Sequence, residues 1–263
     1  YLTLFLGVLA LSTSAIFVKL AAAPSAITAF YRLLFALLLL LPLLLLNKAY
    51  WQDLQSLSRR QWQTGLLSGL FLAIHYILWF ESLNYTSVAS STVIVTLQPL
   101  FSFAGGYLLF KERFNVSAIL SSIVALLGSF IIAWGDFEIS MQALYGDLLA
   151  FIAAGFITAY FFIGQHMRQK LPVVPYSILG YAASTFFLAV YALSQQLSFI
   201  DYSQNTWAAF LGIALISTIL GQMLLNWLLK WLSTSVISMS ILGETIGTCI
   251  LAYFILGEVI TLQ

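Results

Sequence analysis

The residue that invites chemistry first is Glu244, at the centre of residues 236–256, a run of apolar and small side chains long enough to cross a bilayer. A charged side chain at mid-depth costs roughly 2.5–3.5 kcal/mol on insertion scales. An acid placed there must be protonated, paired, or turned toward a wet cavity. It can take up a proton on one side of a membrane and release it on the other, or trade that proton for a cationic solute. Gly243 and Gly247 remove bulk on either side of it, so that a neighbouring helix or a solute can approach.

Other candidates fall at similar depth. His75 carries the side chain most easily switched near neutral pH. Tyr76 and Trp79 follow it with flat, amphipathic surfaces suited to a small organic ligand. Gln98-Pro99 should interrupt its helix, because proline returns no hydrogen bond to the carbonyl one turn earlier. Gln222 and Asn226 stand four apart and share a helical face, where amides read a polar solute or tie helices together. Arg32, in the outer third of its span, reads as an interfacial anchor or a partner of Glu81.

The elements that must position these groups follow from composition. Of 263 residues, 62% are hydrophobic and only 7% charged, too apolar for any soluble domain to bury. An all-α integral membrane protein is the expectation. Nine spans can be marked by length, at residues 2–22, 25–46, 62–83, 88–110, 117–134, 144–165, 175–193, 207–229 and 235–256. The one longer connection, 47–61, is polar and bordered by Trp51 and Trp62, rings that suit the headgroup layer.

If the amino end is cytoplasmic, the inner loops hold Lys48, Arg59, Arg60, Lys111, Arg113, Arg168, Lys170 and Lys230. Only Lys19 is left at an outer helix end. That bias predicts a multi-pass protein of the inner or plasma membrane with its amino terminus inside. Net charge of +1 gives no electrostatic grip on nucleic acid. One cysteine, Cys249, excludes an intrachain disulfide, and no cysteine-rich metal set or cofactor motif is present.

An internal repeat organises the whole. Tyr85-Thr-Ser-Val88 matches Leu232-Ser-Thr-Ser-Val236 in character. Gln98 stands fourteen residues before Glu112, as Glu244 does before Glu258. Aligning Ser87 with Ser235 requires a two-residue gap upstream. Units of five helices, an odd number, must enter the membrane from opposite sides, which is inverted-topology duplication around a central site.

On Tyr85-Thr-Ser-Val88, Leu97-Gln-Pro-Leu100, Phe110-Lys-Glu-Arg113, Leu225-Asn-Trp227, Trp231-Leu-Ser-Thr-Ser235, Leu242-Gly-Glu-Thr245, Leu256-Gly-Glu258 and Phe30-Tyr-Arg-Leu33, the chain resembles the EamA branch of the drug/metabolite transporter superfamily. The resemblance implies ten helices in two inverted five-helix repeats, here residues 1–135 and 144–263. The tenth helix is unseen, and an opening at Tyr1 and an end at Gln263 suggest trimmed termini. It also implies export or exchange of small organic solutes. Many relatives carry Glu-Pro at both mid-span positions, whereas this chain has Gln98-Pro99 and Glu244-Thr245, so a symmetric carboxylate pair is not available to it.

The expected function is secondary-active transport of amino-acid-like metabolites by alternating access through a central cavity. Glu244, His75, Tyr76, Trp79, Gln98, Pro99, Gln222, Asn226 and Gly243 are the candidate binding and coupling residues. Its partners would be the solute, the bilayer and protons as a coupling ion, with monomer and homodimer both open. A multidrug or cation efflux permease of the same fold is the alternative. A membrane-embedded enzyme is disfavoured, because no His-Glu-x-x-His, Gly-x-Ser-x-Gly or phosphate-binding loop occurs.

Overall fold

The computed structural model describes residues 2–114, 116–134 and 140–257, leaving out the side chains at 118, 125 and 129–134. Glu258, the close of the second repeat unit, and the acidic residues Asp136 and Glu138 lie outside the described residues.

Serine side chains set five of the helix starts, because the first backbone N–H groups of a helix have no partner inside it. Helix α1 (Leu2–Ala21) leads into α2 (Ser25–Leu46) through a left-handed turn at Ala22. The connection expected as a plain polar loop instead folds into a short amphipathic helix, α3 (Lys48–Gln55), capped by Asn47. A reciprocal capping box between Ser58 and Gln61 opens α4 (Arg59–Ser82). Ser87 caps α5 (Val88–Phe110), which precedes α6 (Val116–Trp134). Ser140 caps α7 (Met141–Met167), and α8 (Val173–Ser194) follows Pro172. Ser203 and Ser233 cap α9 (Gln204–Leu228) and α10 (Thr234–Leu256).

Among the described residues, eight of these helices are long and apolar enough to cross a membrane: all but α3 and α6. Helix α6 stands where the fifth span was expected.

The polarity of the bundle is reversed relative to a protein folded in water. Leu46, Leu108 and Phe254 are 84, 73 and 77% exposed, while Ser14, Thr92, Thr96, Ser102, Asn226 and Arg32 are buried. Lipid accepts the leucines without cost, and hydroxyls and amides go inward to find hydrogen bonds.

Helix α4 packs on α7 and α8, and α8 on α2. Helix α1 packs on α9 and α10, and α5 bridges α7 and α10. The α4–α8 crossing depends on a missing side chain. A Cβ at Gly69 would lie 2.5 Å from the Ala183 Cβ, 2.7 Å from the Gly180 carbonyl oxygen and 2.9 Å from the Ser184 nitrogen. Two of those atoms are backbone and cannot swing away. Gly69→Ala should therefore cost about 1–3 kcal/mol, read as a fall in melting temperature in detergent; an unchanged melt would show that the helices separate freely there.

The repeat becomes more regular in three dimensions than in sequence. The residues that cap α5 and α10 are Ser87 and Ser233, not Ser87 and Ser235. Counted from those caps, Gln98 and Glu244 each stand eleven residues in, and the two-residue gap disappears. Glu112 fastens the end of α5 to the start of α10. Its carboxylate accepts hydrogen bonds from the Ser235 hydroxyl (2.9 Å) and the Gln165 amide (3.3 Å). Gln165 in turn accepts from the Thr234 N–H at 2.6 Å.

Candidate functional site

Three helices lose their regularity near the middle of the bundle, and a fourth does so in its last turn. Helix α1 breaks at Ser12-Thr13, where the Ser12 hydroxyl donates to the Val8 carbonyl and the Thr13 hydroxyl to the Ala10 carbonyl. Helix α5 breaks at Thr96-Leu97, just before Pro99, whose ring nitrogen returns nothing to the Val95 carbonyl. Helix α9 widens into a π-helix over Ile213–Gln222, with the Thr218 hydroxyl donating to the Ile213 carbonyl five residues back. Helix α10 does the same over Ala252–Leu256.

The broken segments brace one another around Glu244. The Ser12 hydroxyl donates to the Glu244 carbonyl at 3.2 Å, and the Thr248 hydroxyl donates to the Ser12 carbonyl at 3.0 Å. One turn of α10 is thereby pinned to the break in α1. Thr245 meets Thr96 hydroxyl to hydroxyl at 3.1 Å, which pins the same turn to the break in α5.

At the centre lies a small cavity. Glu244, His75, Tyr76, Trp79, Gln98 and Gln222, six of the nine candidates, line it together. Its free interior is about 20 Å³, room for about one water molecule. His75 fixes its ring by a 3.0 Å hydrogen bond between Nδ1 and the Ala153 carbonyl and stacks on Trp79 at 5.6 Å. Donation from Nδ1 leaves Nε2 as an acceptor.

Three candidates sit elsewhere. Asn226 ties helices: its amide donates to the Tyr160 hydroxyl at 2.6 Å. Pro99 is buried at the α5 kink but not on the cavity wall. Gly243 faces a shallow apolar groove between α1 and α10, and a Cβ there would meet only Val8. Close approach belongs to Gly247, where a Cβ would fall 2.3 Å from the Ser12 Oγ.

Arg32 is the correction that matters most. It is neither an interfacial anchor nor a partner of Glu81, which accepts instead from Asn84 at 3.4 Å. Only 1% exposed, it lines the same cavity as Glu244. Its Nε donates to the Thr218 hydroxyl (2.9 Å) and its Nη1 to the Ser14 hydroxyl (2.6 Å). Its guanidinium lies over the Tyr76 ring, 4.3 Å from the centroid. A desolvated contact of that kind is worth about 2 kcal/mol. The sequence signal was present in hindsight: Ser14 and Thr218 are hydroxyls within spanning segments, and α2 offers no acid to pair with Arg32.

Polar atoms on the cavity wall are left without partners. The Tyr76 hydroxyl, the Trp79 indole N–H, the Gln98 Oε1 and the Gln222 Nε2 are all buried and make no hydrogen bond among the described residues. An unmade buried hydrogen bond costs about 1–3 kcal/mol. Four around one void mark a place where something polar belongs.

A trail of hydroxyls leads from the cavity toward the end rich in basic residues. Ser177, Tyr181 and Ser184 climb one face of α8 from that end, all three buried. Alongside them Ser68 meets Tyr176 at 3.0 Å. Arg168 closes the trail, its guanidinium donating to the carbonyls of Asn226 (3.0 Å), Trp227 (3.4 Å) and Leu171. Outward of the cavity the character changes to aromatic packing. Tyr31 stacks on Phe210 at 4.9 Å, with Trp207, Phe30 and Phe199 around them.

Comparison with known proteins agrees with this architecture. The EamA-like transporter family model matches twice, at residues 1–134 and 144–263. The uncharacterized transporter YdfC of Bacillus subtilis (strain 168) is 26% identical over 238 residues, covering 89% of this chain and 75% of YdfC. The uncharacterized transporter YxxF of the same organism is 25% identical over 183 residues, covering 69% of this chain and 58% of YxxF. A solved protein crystal structure superposes with a TM-score of 0.76 at 15% identity, over 96% of this chain and 86% of that one, a likeness of fold.

Proposed function

Because the chain belongs to the EamA-like transporter family of multi-pass membrane transporters, we propose that it is a secondary-active transporter of small, amino-acid-like organic solutes, working by alternating access through the cavity at Glu244. The observation that carries this reading is the ring of buried, unpartnered polar atoms on Tyr76, Trp79, Gln98 and Gln222 around that void. Helices broken at mid-depth are where transporters place solutes and coupling ions.

The cavity in this conformation holds about one water, too little for an organic solute, so the conformation is closed. The hydroxyl trail ending at Arg168 is the route that wets when the basic, cytoplasmic end opens. The aromatic cluster around Tyr31 and Phe210 seals the other. The two family matches, taken with the equal spacing from Ser87 and Ser233, support two units of opposite threading. Protons are the coupling ion this reading names, with Glu244 as the carrier.

Counterflow in proteoliposomes tests the reading. Vesicles preloaded with a mixture of amino acids should take up labelled solute against its gradient, with and without a pH difference. Absence of counterflow for amino acids, amines and drugs alike would count against transport altogether. Gln222→Ala should change the ranking of competing solutes several-fold, because its Nε2 is one of the unpartnered donors. An unchanged ranking would return Gln222 to packing.

A further inference from the structure

We propose that Arg32 is the receptor for a solute carboxylate, so that the site takes zwitterions with Arg32 at one pole and Glu244 at the other. This rests on the reading of the central cavity as the solute site. A guanidinium has five N–H donors. Two are engaged, by Thr218 and Ser14, and among the described residues the remainder make no hydrogen bond. Both hydroxyl partners are neutral, so they orient the fork without cancelling its charge. A planar fork with unengaged donors on a cavity wall matches the two oxygens of a carboxylate.

Charge counting makes the proposal specific. Arg32 cannot give up its proton inside a protein. Enclosing a net charge in a dry site costs several kcal/mol. The titratable or charged side chains facing the cavity are Arg32 from α2, His75 and Tyr76 from α4, and Glu244 from α10; the other helices contribute apolar groups and amides. With Glu244 ionised and His75 and Tyr76 neutral, the closed cavity sums to zero. A zwitterion keeps that sum, its carboxylate on Arg32 and its ammonium on Glu244.

An amine lacking the carboxylate leaves one positive charge that no proton movement can remove. A carboxylate lacking the amine leaves one negative charge, which a proton on Glu244 removes. The site therefore accepts amino acids, rejects simple amines, and accepts simple acids only as pH falls.

The test uses three matched sets on the purified protein. L-alanine, L-leucine and L-phenylalanine are each compared with the amine and with the carboxylic acid that keeps the same side chain, by thermal shift at pH 7.5 and 5.5. Expected is stabilisation by at least one amino acid at both values, by its acid at pH 5.5 only, and by its amine at neither. Amine binding equal to that of the amino acid, acid binding indifferent to pH, or no binding by any amino acid would each overturn the proposal. Amines exchanged in counterflow while amino acids are not would overturn it and leave the transporter reading standing.

Arg32→Gln supplies a readout that a packing role would not move. Without the guanidinium, Glu244 alone balances a cation, so R32Q should gain amine binding by about tenfold or more as it loses the amino acid. Arg32→Lys keeps the charge but not the fork, and should weaken the amino acid while still excluding the amine. An R32Q protein that folds and binds neither ligand differently from wild type would overturn the assignment.

Discussion

Glu244→Gln should assemble normally in the membrane, lose at least 30-fold in apparent affinity for its solute, and show no response to a pH gradient. The substitution is nearly isosteric. The protein holds Glu244 through its backbone, by way of the Ser12 hydroxyl on its carbonyl, so the frame around the side chain survives. What disappears is the charge that balances Arg32 across the cavity. Removing one member of a buried charge arrangement costs about 2–5 kcal/mol, or roughly 30-fold to several thousand-fold.

The sign of the pH effect follows from Glu244 as the proposed proton carrier. Wild-type exchange coupled to Glu244 should strengthen when the compartment that loads protons is made more acidic, and reverse when the gradient is reversed. In the glutamine variant, solute flux measured at matched gradients should be flat. A pH response that persists in E244Q and vanishes in His75→Gln would transfer the coupling role to the histidine, which lines the same cavity.

Span positions were legible because bilayer thickness imposes one length on every crossing, and apolar residues had to fill it. Ends moved by a few residues, as at α4, which starts at Arg59 rather than 62, because capping side chains and not hydropathy place them. The helix break at Gln98-Pro99 was legible because proline announces itself. The break in α1 and the π-helix in α9 were not. Neither contains proline; they arise where Ser12, Thr13 and Thr218 hydroxyls claim backbone carbonyls, a choice made by neighbours from other helices.

Arg32 was misplaced for a related reason. Depth along its own helix suggested that it could reach the interface, but two hydroxyls and the face of Tyr76, all remote in sequence, hold it inside. The pairing of Gln222 and Asn226 shows the limit of periodicity. One helical face was correct, yet the π-helix ends at Gln222, and the residue four further on meets Tyr160 instead of the cavity.

A second large effect is expected at the basic end. Arg168→Gln should shift the resting protein toward the conformation open on that side. A cysteine in place of Ser177 should then react with a water-soluble thiol reagent about tenfold faster or more. Arg168 joins the end of α7 to the end of α9 through the carbonyls of Asn226 and Trp227, bonds that are lost once the helices part, and also donates to the Leu171 carbonyl in its own connection. Hydrogen bonds to a charged group are worth about 1.5–3 kcal/mol each. Losing even one therefore moves a two-state balance by about tenfold. Ser177, Tyr181 and Ser184 are buried while the latch is closed, so water should reach them as it opens. Measurement belongs in a Cys249→Ala background, since Cys249 is the one native thiol. A lower melting temperature with unchanged labelling would make Arg168 a brace for the fold and not a gate.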